Sequence, residues 1–144
     1  MEETVHTASM TVWDITFVYL LGAFGYGGVE LLWRGHTHWT MLLLGGACFV
    51  AIYAITVRRP GPLWGKCLLC AGTVTALEFF TGCVVNLYLG WGVWDYAGVP
   101  GNLLGQVCPL YCALWYLLSI PCAALARMLH RGFTLRRREK YIDK

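Results

Sequence analysis

Residues 78–115 read EFFTGCVVNLYLGWGVWDYAGVPGNLLGQVCPLYCALW, from Glu78 to Trp115. An apolar run carries one acid, Glu78, in its interior and one amide, Asn86, eight residues later. At spacings of four, Glu78, Gly82, Asn86 and Gly90 share a single helix face. A loop rich in glycine and aromatic residues follows, with one acid, Asp95. The next apolar run opens on Asn102 and Gln106. Such a pattern predicts two apolar helices joined by an aromatic loop, with a carboxyl group stranded between them.

Working outward, the composition decides which solvent those helices meet. The chain is 58% hydrophobic and only 13% charged, with a mean hydropathy of +0.56. A soluble domain carries about 25% charged residues. A core small enough for this chain could not hide so much apolar surface from water. Lipid must therefore solvate most of it. The fold expected is all-α, a polytopic membrane protein with four transmembrane helices arranged as two hairpins. Residues 1–130 form the transmembrane domain and residues 131–144 a basic cytoplasmic tail.

The expected helices run over residues 11–33, 39–57, 63–94 and 102–129. Gly22, Ala23, Gly25, Gly27 and Gly28 crowd the first, where small residues let helices approach closely in lipid. Arg58, Arg59, Pro60, Gly61 and Pro62 stop the second. Residues 95–101 form the outer loop, marked by Gly98, Pro100 and Gly101. Pro109 and Pro121 fall inside the fourth helix and predict kinks there. Residues 1–10 are acidic and polar, without a basic leader or a small-residue cleavage site, so the first apolar segment is read as a span.

Lys and Arg set the orientation. Arg58, Arg59 and Lys66 lie in the connection between the second and third helices, and Arg131, Arg136, Arg137, Arg138 and Lys140 in the tail. The 95–101 loop has none. Both termini are thus expected in the cytoplasm of a cell with an inner membrane, with Trp33, Trp39, Trp91 and Trp94 ringing the outer interface. The net charge of +3 comes from these topological residues and does not point to nucleic acid.

Glu78 is the strongest signal for chemistry. A charge at mid-membrane depth costs about 2.5–3.5 kcal/mol on insertion scales. It must meet a polar partner, a cation or a proton. The plain alternative is one polar bond between helices. Glu30 and Arg34 stand four apart in the acid-before-base order and are expected to pair at the outer surface. Asp95, Asn102 and Gln106 cluster about the outer loop. Asn102 suits a helix cap, and Gln106 can turn toward the Glu78–Asn86 face. Cys48, Cys83, Cys108, Cys112 and Cys122 fall in apolar runs and suit small apolar filler better than a disulfide framework, while Cys67 and Cys70 form a lone CxxC without the second pair that a redox or zinc site would want. His36 and His38 straddle a turn and read as interfacial. No phosphate-binding glycine loop, Ser–His–Asp set or HExxH occurs, and no cofactor is expected.

The stretch Gly25-Tyr26-Gly27-Gly28-Val29-Glu30-Leu31-Leu32-Trp33-Arg34-Gly35 resembles the first motif of the CmpB-like, or ABC-transporter type IV, membrane proteins. A second motif combines Glu78 and Gly82 with Trp94-Asp95-Tyr96, Pro100, Asn102, Gly105, Cys108 and Trp115. The resemblance spans residues 24–118. Ala97 departs from the serine that follows the Trp-Asp-Tyr block in that family, which removes any role for the hydroxyl. The resemblance implies a small multi-pass permease and adds Trp94 and Tyr96 to the candidate site.

The function expected first is transport of a small cation, or of a solute coupled to protons, bound at Glu78 in a homo-oligomer that supplies a missing wall. The rings of Phe79, Phe80, Tyr88, Trp91 and Trp115 are candidate contacts for an organic cation. A membrane-embedded enzyme acting on lipid or quinone is a second reading, with Glu78, Asp95 and Glu30 as acid–base groups. A non-catalytic membrane subunit, its basic tail on anionic headgroups, is a third.

Overall fold

The computed structural model describes residues 10–142. They form four apolar helices and no strand, and each helix is long and apolar enough to cross a membrane. The acidic residues 2 and 3 and the last two of the tail lie outside the described residues.

Helix α1 spans Val12–Arg34 and starts on a reciprocal cap. The Thr11 hydroxyl accepts from the Asp14 amide, and the Asp14 carboxylate accepts from the Thr11 amide. It ends at Gly35, whose φ of 73° suits a residue without a side chain. Helix α2 spans Trp39–Arg58, is capped by the His38 ring, and stops ahead of Pro60. Helix α3 spans Leu63–Gly82 and runs on into a π-helical turn, Cys83–Tyr88. Helix α4 spans Pro109–Ile142.

Helix α2 is the most enclosed span and packs on α1, α3 and α4. Its seam with α1 needs glycine. A Cβ on Gly22 would stand 2.8 Å from the Gly45 carbonyl oxygen, and one on Gly46 2.7 Å from the Tyr19 ring. Helix α4 packs on α3 and α2. Between α1 and α4 there is no comparable seam. They meet where Tyr26 stacks on Trp115, with ring centroids 5.6 Å apart, and where Phe17 meets Phe133 edge-on. Asp14 also lies 3.6 Å from Arg137 and 3.8 Å from Arg136. Both described ends of the chain are therefore at one end of the bundle. The connection between α3 and α4 is at the other, where Arg34 reaches the Val93 carbonyl.

Three expectations change. The third helix stops at Tyr88, not residue 94, because Gly90 and Gly92 take left-handed φ of 68° and 58°. Gly90 thus leaves the face that carries Glu78. The fourth helix starts at Pro109, not residue 102, because Gly101, Leu104 and Gly105 all have positive φ. Pro109 then occupies the first helical position, where its missing N–H costs nothing, and makes no kink. Pro121 remains inside α4 and leaves the Leu117 carbonyl without its helical donor. The fourth helix also continues past residue 129 and ends at Ile142.

Candidate functional site

The long connection, residues 89–108, folds back over the end of α3. Asn86 organises it. Its Oδ1 accepts from the Val93 amide at 2.7 Å, and its Nδ2 donates to Gln106 Oε1 at 2.8 Å. The π turn is what sets Asn86 at the mouth of α3, where one extra residue per turn re-aims the side chain. Gln106 is buried in the connection, not on α4 as the sequence suggested, and its Nε2 donates to the Leu104 carbonyl. Asn102 caps no helix. Its Oδ1 accepts from the Gly105 amide, and its Nδ2 donates to the Ala97 and Val99 carbonyls. Trp94 does not face outward as a ring of an interfacial belt would. It is buried, with its indole N–H on the Gln106 carbonyl at 2.9 Å.

Below this cap lies a cavity of about 610 Å³, within the range of small-molecule sites. Its polar end holds Glu30, Arg34, Asp95 and Tyr96, and Glu78 lines it too. Aromatic walls come from Tyr26, Trp33, Trp94, Tyr111 and Trp115. Tyr96 stacks on Tyr111 with centroids 4.5 Å apart. Burial holds the Tyr96 phenol above its ordinary titration range, so it stays a neutral hydroxyl at physiological pH. One chain supplies all of these groups.

The acids differ in how they are matched. Glu30 is buried but fully served. Its Oε1 accepts from Arg34 Nη1 at 3.0 Å and its Oε2 from the Thr37 hydroxyl at 2.6 Å. Arg34 straps this pair to the Val93 carbonyl at 2.7 Å. Asp95 caps its own turn, accepting from the Ala97 amide. Glu78 is also buried, yet only its Oε2 is engaged, by the Trp115 indole N–H at 2.7 Å. Among the described residues nothing donates to its Oε1, and no Lys or Arg lies within ion-pair distance.

The sequence-derived candidates thus divide. Glu78, Glu30, Asp95, Trp94 and Tyr96 line the cavity with Arg34, while Asn86, Gln106 and Asn102 hold its cap in place. Of the rings proposed for a cation, only Trp115 lines the cavity. Phe80 and Tyr88 are exposed on the outside. Tyr26 and Trp33 had a signal, since they share the Glu30 face of α1 at spacings of four and three. Tyr111, Leu114, Trp115 and Leu118 share a face of α4 in the same way. Cys67 and Cys70 are buried free thiols away from this cavity, and among the described residues no three His, Cys, Asp or Glu side chains converge.

The strap on Glu30 gives a first prediction. Arg34→Met leaves a buried carboxylate with one donor and unbinds the connection, at a cost of about 3 kcal/mol. Thermal unfolding in detergent is expected to fall by several degrees. Arg34→Lys should recover only part, because an ammonium cannot hold Glu30 and Val93 with a rigid fork. An unchanged melting temperature for Arg34→Met would show that the strap carries no stability.

A family model described as "Putative ABC-transporter type IV" matches residues 24–142, a stretch that includes every residue of the cavity. No curated protein and no solved structure matches the chain.

Proposed function

Because the chain belongs to this ABC-transporter type IV family, we propose that it is a transport protein whose cavity holds a cation against the Glu78 carboxylate. The observation that carries the reading is the free oxygen. Glu78 Oε1 has no donor among the described residues, in a buried position that borders a cavity. A carboxyl in such a place holds a proton or a cation, and exchanging one for the other couples movement to a proton gradient. The ring walls suit an organic cation, whose charge a π face attracts without the strong dehydration cost of a small metal ion.

The basic residues favour a cytoplasmic location for the end that carries both described ends of the chain. Arg58 and Arg59 close α2, and Arg136 and Arg137 lie beside Asp14 at that same end. The cavity then lies toward the outer face of the cell membrane. Proteoliposomes loaded with unlabelled tetraethylammonium are expected to accumulate the radiolabelled ion by counterflow, and to do so faster than protein-free liposomes. Equal rates in the two would remove this reading.

A further inference from the structure

The cavity is segregated along its length. Glu30, Arg34, Asp95 and Tyr96 sit at the end covered by the α3–α4 connection. Trp115 and Glu78 come next. Beyond them the wall is Leu117, Leu118 and Pro121 of α4. At 1.5 Å per residue, Pro121 lies about 9 Å deeper along the helix than Trp115. A polar group held at Glu78 therefore has an apolar trough running on toward the middle of the membrane.

The side of this trough is open. Val29 on α1 is 50% exposed, and Leu114 and Leu117 on α4 are 43% and 59% exposed, although all three line the cavity. These residues lie within spans, where the surroundings are acyl chains and not water. The missing seam between α1 and α4 is what leaves the gap. A wholly polar solute gains nothing at such a mouth, because it would have to leave water for hydrocarbon to reach it. A molecule already dissolved in the bilayer, with its charged head near the interface and its chain toward the midplane, is aligned with the trough before it binds.

Resting on the reading of Glu78 as a cation counter-charge, we infer that the site takes a long-chain ammonium or amine amphiphile from the lipid, between α1 and α4. Its cationic head lies against Glu78 and the ring walls. Its chain lies along Leu117, Leu118 and Pro121 and passes out between the helices. The amphiphilic shape of the ligand follows from two facts about one cavity, an unmatched acid at depth and an apolar exit beside it.

The test is a displacement series in phosphatidylcholine nanodiscs. Bound radiolabelled tetraethylammonium is competed with ethyl-, hexyl- and dodecyltrimethylammonium, and with dodecanol as the uncharged control. Each buried CH₂ adds to transfer from water into an apolar phase. The dodecyl compound is therefore expected to displace at a free aqueous concentration at least about a hundredfold below that of the ethyl compound. Dodecanol is expected to displace nothing. A flat series overturns lateral access, whether the site is reached from water or a second copy seals the mouth, while the cation reading stands. Displacement by dodecanol equal to that of dodecyltrimethylammonium overturns it as well, since the head would then play no part. Absence of any bound tetraethylammonium takes away the cation reading on which this inference rests.

Discussion

Glu78→Gln is expected to weaken tetraethylammonium binding by two to three powers of ten and to stop counterflow, with the fold kept. Glutamine has the shape of glutamate, and its amide oxygen can still accept from the Trp115 indole N–H that now engages Oε2 at 2.7 Å. What disappears is the charge. A unit pair about 4 Å apart is worth roughly 4 kcal/mol at an effective dielectric near 20, and about 1.4 kcal/mol is tenfold in affinity. Glu30→Gln provides the contrast. Its carboxylate is already matched by Arg34 and Thr37, so its removal should cost stability more than cation affinity. Equilibrium dialysis of the two variants separates these effects. If Glu78→Gln binds tetraethylammonium within a few fold of wild type, Glu78 is not the counter-charge.

The four spans were legible because a span demands one property over about twenty residues, and the sequence repeats it four times. The reciprocal cap of α1 went unread, although Thr11 and Asp14 stand three apart ahead of an apolar run, the spacing such a cap needs. The acid-before-base spacing of Glu30 and Arg34 led to a pair that the structure forms. The connection was not legible. Its shape depends on positive φ at Leu104 and on an isolated pairing of Leu103 with Val107, neither of which has a composition of its own. The apolar run past Asn86 also looked helical because leucine, tyrosine and tryptophan there fit a helix as well as they fit a loop.

Trp94 shows a different limit. Tryptophan beside a span reads as part of an interfacial belt. Here the ring turns inward because a glycine far back in sequence leaves it room, with Trp94 Cζ2 2.9 Å from where a Cβ on Gly82 would stand. The cavity walls on α1 and α4 fail for a third reason. Their faces do repeat at helical spacing, but a lipid-facing side is as apolar as a ligand-facing one. The contrast that marks the inward face of a soluble helix is therefore missing. Polar residues inside spans stand out, and the apolar residues that complete their site do not.

Asn86→Ala is expected to unfold the cap of the cavity while leaving the four spans in place. The side chain bridges α3 to both ends of the connection, to the Val93 amide and to Gln106 Oε1. Truncation leaves both groups without that partner, and each unmet buried polar group costs about 1–3 kcal/mol. Val93 also carries the Arg34 strap, so the loss should spread to the Glu30 pair. Gly82→Val attacks the same joint sterically. A Cβ there would stand 2.5 Å from Gln106 Oε1 and 2.9 Å from Trp94 Cζ2, closer than those atoms can pack. Limited proteolysis should cut both variants within residues 89–108 at least about tenfold faster than wild type, as expected when local opening is made easier by ~1.4 kcal/mol or more. Helical circular dichroism is expected to stay near the wild-type value, since the connection is not helical. Tetraethylammonium binding should fall with the cap, because Trp94, Asp95 and Tyr96 leave the cavity together. A connection as resistant to protease in Asn86→Ala as in wild type would mean that the ring stack of Tyr96 on Tyr111 holds it without the amide.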